Sequence, residues 1–279
     1  MGPGRRFVHH VVAAFACAIL VSGCSSAPVS TSTPPSTSPP STSTPSTSPP
    51  FTSDPHQRDW SIVALGDSVP HGTSCGCTPY PELSATSLAE PATREVTATN
   101  DAVGGFTTAD VLTQLRSDDD VISQVSKASV VEIEVGANDV AYSGACGTSV
   151  ACYEPRIRST EQNLDEIVAR VRDLTAGRPV LLVLLDYWSV WLGGQYAEAK
   201  GPAYVDAADG VTDQVNNVIK TTAANTGAAY VDLRAAFKGP NYTYDETRYL
   251  ASDGDHPNAA GHEQIAAAVV DVVTQTLHL

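Results

Sequence analysis

Short apolar runs rich in Val, Ile and Leu alternate with longer amphipathic stretches over the last four-fifths of the chain. The runs predict strands at 61–65, 94–98, 129–135, 179–185 and 228–233. Apolar positions recur with helical spacing at 81–90, 108–125, 156–175, 204–226 and 259–277. Nearly continuous apolar strands that alternate with helices are typical of a parallel sheet covered on both faces. The pattern predicts an α/β fold over 56–279: a three-layer α/β/α, flavodoxin-like domain with a five-stranded parallel sheet.

The first 23 residues have the layout of an export signal. Arg5 and Arg6 precede an apolar stretch, residues 11–21, that is too short to be a comfortable membrane span. The four residues Val-Ser-Gly-Cys that end at Cys24 resemble a bacterial lipobox, in which the cysteine receives a diacylglyceryl group. Two acyl chains anchor a protein stably. We therefore expect a lipid-anchored protein on the outer face of the cytoplasmic membrane, with plain secretion as the alternative.

A low-complexity segment separates the signal from the globular part. Residues 25–55 are nearly all Ser, Thr and Pro, a composition that buries too little apolar surface to offset the entropy of ordering. Such a segment is an extended tether that reaches up to roughly 90 Å at about 3.1 Å per residue. The predicted organisation is a signal peptide (1–23), a lipidated Cys24 with its tether (24–55) and one globular domain (56–279).

The charge balance excludes some partners. The chain has 279 residues, with 16 Lys and Arg against 31 Asp and Glu, and a formal net charge of −15. Nucleic-acid binding through phosphate neutralisation needs the opposite sign, so we expect no nucleic-acid partner. An acidic domain is also repelled by anionic headgroups, so the lipid and not a basic patch must provide the membrane anchor. We expect a monomer.

Four cysteines lie in the globular part, at 75, 77, 146 and 152. Export places them in an oxidising compartment, and an even set of four allows three pairings. Cys146 and Cys152 can close a short loop easily, whereas pairing of Cys75 with Cys77 closes a tight ring. Cross-pairing avoids that ring but needs the two loops to be adjacent. A metal site of four thiolates is a further alternative.

Polar motifs follow the predicted strands at the positions where such sheets carry their sites. In an open parallel sheet, ligands bind at the carboxyl ends of the strands. Gly-Asp-Ser alone is a weak signal, but four motifs in order are a strong one. They occupy residues 66–69, 100–105 and 136–139, after the first three strands, and 253–257, before the last helix.

Together these motifs resemble the SGNH (GDSL-type) hydrolase superfamily of esterases, lipases, thioesterases and deacetylases, over about residues 60–279. The resemblance implies an exported lipoprotein esterase of actinobacterial type. It implies that Ser68 is the nucleophile and that Asp253 and His256 complete a catalytic triad. It also implies an oxyanion hole formed by the backbone N–H of Ser68 with Gly105 and Asn138. Because Gly104 and Gly105 are adjacent, the glycine carries a one-residue ambiguity.

The residue types suit that chemistry without the family name. A serine hydroxyl becomes a useful nucleophile when a base takes its proton, and histidine titrates near neutral pH. Asp253 lies three residues before His256, so the two side chains share a face if the segment turns like a helix. Asp255, adjacent to His256, is the poorer orienting group. A glycine N–H and an asparagine amide can stabilise a developing oxyanion. No metal or organic cofactor is needed.

Less specific interpretations exist for several of these residues. Ser68 can be a helix cap, Asn138 can belong to a simple turn, and the 253–256 segment can bind a metal. His71 is the one competing base near Ser68. His262 is expected to be a surface or capping residue.

An aromatic segment, residues 187–204, follows the fourth strand and contains Trp188 and Trp191. These side chains either line an acyl or sugar pocket or only pack a loop.

The sequence as a whole predicts an exported serine ester hydrolase that cleaves acyl esters through an acyl-enzyme on Ser68. Its substrate would be an acylated lipid or glycan. Two alternatives remain: a tethered module that binds glycan or lipid without catalysis, and an O-deacetylase of cell-envelope polysaccharide. The residues do not identify the acyl length or the alcohol.

Overall fold

The computed structural model describes residues 59–279. The predicted signal peptide (1–23), the lipidation site Cys24 and the tether (24–55) lie outside the described residues. Within them, no helix is both long enough and apolar enough to cross a bilayer.

Five parallel strands form one sheet, in the order β2-β1-β3-β4-β5. The strands are β1 (Trp60–Gly66), β2 (Val96–Asn100), β3 (Val130–Glu134), β4 (Leu181–Leu185) and β5 (Ala229–Val231). At least one helix lies between each pair of successive strands, because parallel strands need a long crossover connection. The predicted flavodoxin-like sheet is confirmed. The predicted strand 94–98 is placed two residues too early, because β2 spans Val96–Asn100.

Helices cover both faces of the sheet and make the fold three-layered. α2 packs on α9, and α9 also contacts α8; on the other face α5 lies between α3 and α7. The helices are α1 (Ser68–His71), α2 (Tyr80–Ala92), α3 (Thr108–Ser117), α4 (Asp119–Val125), α5 (Glu154–Leu174), α6 (Gly194–Glu198), α7 (Pro202–Thr226), α8 (Leu233–Lys238) and α9 (Ala259–Leu277).

Two aspartates end elements that the apolar pattern predicts to continue. The predicted helix 108–125 divides at Asp118, whose backbone is extended and whose side chain accepts the N–H groups of Asp120 and Val121. The predicted strand 228–233 stops early, because Asp232 caps α8 through the N–H of Ala235. Both follow from the preference of Asp for helix N-caps.

The central strand β3 is buried along its whole length, including two carboxylic acids. Glu132 and Glu134 alternate with apolar residues, and among the described residues the carboxyl oxygens of Glu132 have no hydrogen-bond partner. Burial raises the pKa of both side chains, that of Glu132 to about 8. Glu132 is therefore held mainly as a neutral acid near pH 7, and burial disfavours the ionised form of Glu134 as well.

The cysteines pair locally. Cys75 is bonded to Cys77, and Cys146 is bonded to Cys152. The structure therefore adopts neither the cross-paired arrangement nor a site of four thiolates.

Candidate active site

Ser68 is the first residue of α1, the single turn of helix that follows β1. Gly66 joins the two with a φ of +150°, and a Cβ added there would lie 2.0 Å from the carbonyl oxygen of Glu134. Only glycine fits that approach. Asp67 caps the helix, because its Oδ1 accepts the backbone N–H of Val69 at 3.1 Å. The alternative in which Ser68 is the cap is therefore wrong.

A buried hydrogen bond also holds the second carboxyl oxygen of Asp67. The hydroxyl of Tyr187, two residues after β4, donates to Oδ2 of Asp67 at 2.6 Å. Burial raises the pKa of Asp67 to about 6, although the bonds from Tyr187 and Val69 act in the opposite direction. This contact ties the turn after β1 to the loop after β4. Sequence reasoning missed it.

The imidazole of His256 is hydrogen-bonded to the carboxylate of Asp253. Its Nδ1 lies 2.8 Å from Oδ2 of Asp253, and the backbone N–H groups of His256 and Asp255 donate to Oδ1 at 3.1 and 3.0 Å. The predicted three-residue spacing thus brings the side chains together. It does so through a tight loop with a φ of +75° at Gly254, not through a helical turn. Asp253, and not Asp255, orients the imidazole.

The Asp253 carboxylate is strongly held in its ionised form. Burial alone would raise the pKa of Asp253, but hydrogen bonds from the Ser74 hydroxyl, the two backbone N–H groups and the imidazole lower it well below its ordinary value. An ionised carboxylate here keeps the proton of the neutral imidazole on Nδ1. Ser74 belongs to the loop between α1 and α2 and has a φ of 62°, which is uncommon for serine. Sequence reasoning gave Ser74 no role.

Ser68, Asn138 and His256 line one cavity of about 210 Å³ at the carboxyl ends of the strands. The structure thus brings together three of the predicted site residues, and Asp253 joins them through His256. Asp255 also lines this cavity. Its other wall is aromatic and consists of Tyr142, Tyr187, Trp188, Trp191 and Tyr204.

Asn138 and Asp139 hold the loop after β3 through hydrogen bonds to two different neighbours. Nδ2 of Asn138 donates to the carbonyl oxygen of Phe106 at 2.9 Å. Asp139 accepts the hydroxyl and the backbone N–H of Thr108, at 2.6 and 2.9 Å, at the start of α3. The segment is therefore more than a simple turn, because each side chain holds a different neighbour. One amide N–H of Asn138 remains for a ligand in the cavity.

Gly105 lies in the exposed loop between β2 and α3. Among the described residues, the cavity lining includes neither Gly104 nor Gly105. Gly105 has a φ of +87°, and an added Cβ would meet nothing within 4 Å. Its backbone conformation, and not crowding, favours glycine. The structure therefore connects this loop to the site through Phe106, and the role of Gly105 as a donor stays a prediction.

Both interpretations of the tryptophans hold in part. Trp188 and Trp191 are 1% and 3% exposed, and both line the cavity. Trp188 stacks on Phe237 with ring centroids 4.3 Å apart, and Nε1 of Trp191 donates to the carbonyl oxygen of Val140 at 2.8 Å. Both tryptophans therefore line the cavity and are also held by contacts with residues behind them.

The other histidines are placed differently. His71 is exposed, and its Nδ1 lies 3.1 Å from the Thr73 hydroxyl. Unlike His256, it does not line the cavity within the described residues. His262 is fully buried, so its expected place at the surface was wrong, whereas the capping role that was the alternative is supported. Its Nδ1 accepts the backbone N–H of Tyr80 at 3.2 Å, which links α9 to the start of α2.

Comparison with known families decides the classification. The profile of the GDSL-like Lipase/Acylhydrolase family matches residues 64–264, which is most of the chain and includes all the motifs named above. The chain belongs to this family. This GDSL-like hydrolase is therefore an enzyme of the lipase and esterase kind. No curated protein sequence matches it significantly.

Solved structures share the fold of this GDSL-like hydrolase at low sequence identity. The lipase Lip_vut3 from a goat rumen metagenome is 20% identical, with a TM-score of 0.59 over 76% of this chain and 97% of that one. Axe2, an acetylxylan esterase from Geobacillus stearothermophilus, is 22% identical, with a TM-score of 0.55 over 77% and 94%. TesA is 20% identical, with a TM-score of 0.52 over 77% and 98%.

Proposed function

We propose that this GDSL-like hydrolase cleaves carboxylic esters of short acyl groups through an acyl-enzyme on Ser68. One observation carries the proposal: Ser68, Asn138 and His256 line the same cavity, while Nδ1 of His256 is bonded to Asp253 at 2.8 Å. A module that only binds its ligand needs no such paired imidazole. The binding alternative is therefore not favoured.

The imidazole of His256 acts as the base. Because Asp253 holds the proton on Nδ1, the lone pair of Nε2 is available to the Ser68 hydroxyl. Nε2 takes that proton as Oγ attacks the acyl carbon, and the Asp253 carboxylate stabilises the imidazolium that forms. The same proton then passes to the departing alcohol. Water hydrolyses the acyl-enzyme by the same route in reverse order.

Donors around the cavity stabilise the tetrahedral intermediate. The Nδ2 group of Asn138 has one N–H on the carbonyl of Phe106 and a second for the oxyanion. The bond to Phe106 fixes the amide before substrate arrives, so little reorganisation is needed in the transition state. The backbone N–H groups of Ser68 and Gly105 are the proposed further donors.

The cavity suits a small acyl group. It holds about 210 Å³ beside a wall of mostly buried aromatic rings and is open to solvent on one side. An acetyl group can pack against these rings while the sugar that carries it stays in the opening. We therefore place O-deacetylation of a cell-envelope polysaccharide ahead of lipase activity. That one of the similar folds is an acetylxylan esterase agrees with this choice.

The proposed cellular setting comes from the segment before residue 56. A signal peptide over 1–23, lipidation at Cys24 and a Ser/Thr/Pro-rich tether would expose a monomeric domain to envelope polymers outside the cytoplasmic membrane. Metabolic labelling with an alkyne-modified fatty acid, compared between wild type and Cys24→Ala, tests the anchor.

The activity is tested with p-nitrophenyl esters from acetate to octanoate. Wild type should hydrolyse acetate and butyrate best, and Ser68→Ala and His256→Ala should lose nearly all turnover. His71→Ala is the matched control, since this exposed histidine lies only three residues after Ser68 but does not line the described cavity. Equal rates in wild type and Ser68→Ala would exclude the proposal.

Two further measurements separate the candidate substrates. A fluorophosphonate probe should label wild type at Ser68 and leave Ser68→Ala unlabelled; no labelling of wild type would support the binding module. Release of acetate from acetylated polysaccharides, measured beside release of fatty acid from long-chain esters, decides between glycan and lipid.

A further inference from the structure

The Cys75–Cys77 pair lies beside a buried histidine. The two sulfurs and a ring nitrogen of His262 lie within 4.8 Å of one another. Both cysteines are half-buried, so small thiols can reach them, whereas His262 is fully buried. Cys75 and Cys77 belong to the loop that leads from the helix of Ser68 to α2.

The hydrogen bonds of His262 argue against a ready-made metal site. Its Nδ1 accepts the backbone N–H of Tyr80, so the neutral ring carries its proton on Nε2. Burial lowers the pKa of His262 to about 4, which keeps the ring neutral. Nε2 has no hydrogen-bond partner among the described residues. The ring thus offers a donor N–H rather than a lone pair, and a donor stabilises a neighbouring thiolate.

The same loop reaches the catalytic groups on its other side. The backbone N–H of Thr73 donates to the carbonyl oxygen of Ser68 at 3.0 Å. The next residue, Ser74, is held in the left-handed region, and its hydroxyl interacts with the carboxylate of Asp253 and lowers the pKa of that group. A ring closed between residues 75 and 77 restricts the backbone directly after Ser74. Opening that ring removes the restriction.

We propose that Cys75–Cys77 is a reversible redox site that, as a disulfide, holds Ser74 against Asp253. In this arrangement Ser74 is a positioning residue: it acts on Asp253, which in turn orients His256. The regulatory part of the inference rests on the proposed esterase function, whereas the redox part does not. The oxidised enzyme is the active form.

The reaction partner is a dithiol. One thiolate of the dithiol attacks Sγ of one cysteine, the Cys75–Cys77 bond breaks, and its electron pair leaves on the other sulfur as a thiolate beside His262. The second thiolate of the dithiol then attacks the mixed disulfide and releases the remaining cysteine. Two electrons pass to the pair, protons come from solvent, and the dithiol ends as a disulfide.

The second disulfide provides an internal control. Cys146–Cys152 closes a longer loop, which the buried Tyr153 holds by accepting the N–H of Ser143 and donating to the carbonyl oxygen of Gly147, both at 3.1 Å. Of the described histidines, only His262 comes near a cysteine pair in this way, so Cys146–Cys152 has no matching donor. The two bonds should therefore respond differently to the same reductant.

The redox part is tested by graded reduction of the folded enzyme with dithiothreitol, trapping with iodoacetamide and peptide mass spectrometry. Cys75–Cys77 should open at a lower reductant concentration than Cys146–Cys152, and His262→Ala should raise the concentration that it needs. Opening of Cys146–Cys152 first, or of both together, overturns the proposal. Zinc retained by the reduced protein and lost in His262→Ala would show a metal site instead and overturn it as well.

The coupling to catalysis is tested by ester turnover. Reduction of wild type should lower kcat roughly 10- to 100-fold at nearly constant KM, as expected for a misplaced catalytic group. Cys75→Ser with Cys77→Ser should match the reduced enzyme, and Cys146→Ser with Cys152→Ser should keep full activity that still falls on reduction. Ser74→Ala should lower kcat similarly, while Ser74→Asn, which tolerates the backbone and restores a donor, should recover it.

Unchanged kcat in both the reduced enzyme and Ser74→Ala overturns the coupling. A wild type without esterase activity would instead refute the proposed function and leave the order of reduction to decide the redox part.

Discussion

The hydroxyl of Tyr187 donates to the buried carboxylate of Asp67 at 2.6 Å, directly behind the residue proposed as nucleophile. The same carboxyl group caps the short helix that begins with Ser68. One hydrogen bond between residues 120 positions apart thus supports the position of the Ser68 side chain.

Replacing Tyr187 with Phe tests this support. Because burial already raises the pKa of Asp67 to about 6, removing the donor should raise it further. A carboxyl whose pKa is raised on folding contributes stability below its unfolded pKa, and that contribution is lost as pH rises through the folded pKa. The variant should therefore lose more stability at pH 8 than at pH 4, by about 1–3 kcal/mol, as measured by urea unfolding.

Tyr230→Phe is the matched control. The hydroxyl of Tyr230 donates to the buried carboxylate of Asp186 at 2.5 Å, and neither residue belongs to the lining of the described cavity. It should also lower stability but leave kcat unchanged, whereas Tyr187→Phe should lower kcat. If both variants kept wild-type kcat, the Tyr187 bond would be structural alone.

The two aspartates before His256 should differ in importance. Asp253 bonds the imidazole, and Asp255 does not. Asp253→Asn offers the wrong partner to Nδ1 and should lower kcat by about 10⁴. Asp255→Asn, of the same size and charge change, should keep kcat within about tenfold, since it only removes a charge near the cavity. Steady-state kinetics on p-nitrophenyl butyrate compares them, and a larger loss in Asp255→Asn would show that the orienting acid is wrongly assigned.

Asn138→Ala removes a proposed oxyanion donor. The expected loss is about 10²–10³ in kcat with little change in KM, because the donor acts on charge that develops in the transition state. Asn163→Ala is the control: its amide donates to the Thr108 hydroxyl at 2.9 Å and supports the same region from outside the cavity. Equal losses in the two variants would indicate loop disorder rather than a lost donor.

Glu132→Gln should stabilise the enzyme in alkaline solution. Burial, with a smaller contribution from the charge of Glu82, raises the pKa of Glu132 to about 8. The neutral carboxyl therefore contributes its full stability below the unfolded pKa, and this contribution is lost as pH rises through about 8. Glutamine stays neutral at every pH. The melting temperature of the variant should match wild type near pH 4 and exceed it by a few degrees at pH 9.

Glu90→Gln makes the same chemical change on the exposed surface of α2 and should shift the melting temperature little at either pH. A Glu132→Gln variant that melts below wild type at pH 9 would show that the buried carboxyl is stabilised in its ionised form.

The sequence predicted most of the sheet because its strands are apolar runs bounded by turns. It missed α1, α6 and α8, which have four to six residues each and are too short to show a helical period. The grouping of Ser68, Asn138 and His256 could be predicted, since motifs at the carboxyl ends of parallel strands share one edge. Contacts such as Ser74 with Asp253 depend on loop conformation and backbone atoms, for which one sequence carries no signal.

The distance along the chain between Ser68 and His256 has a consequence for biosynthesis. The residue proposed as nucleophile emerges early from the ribosome, and its base emerges only with the final helix. A nascent or truncated polypeptide that stops before residue 256 would hold an unactivated serine. Hydrolysis would therefore begin only after synthesis of the whole domain, which spares acyl esters that the growing polypeptide meets on its way.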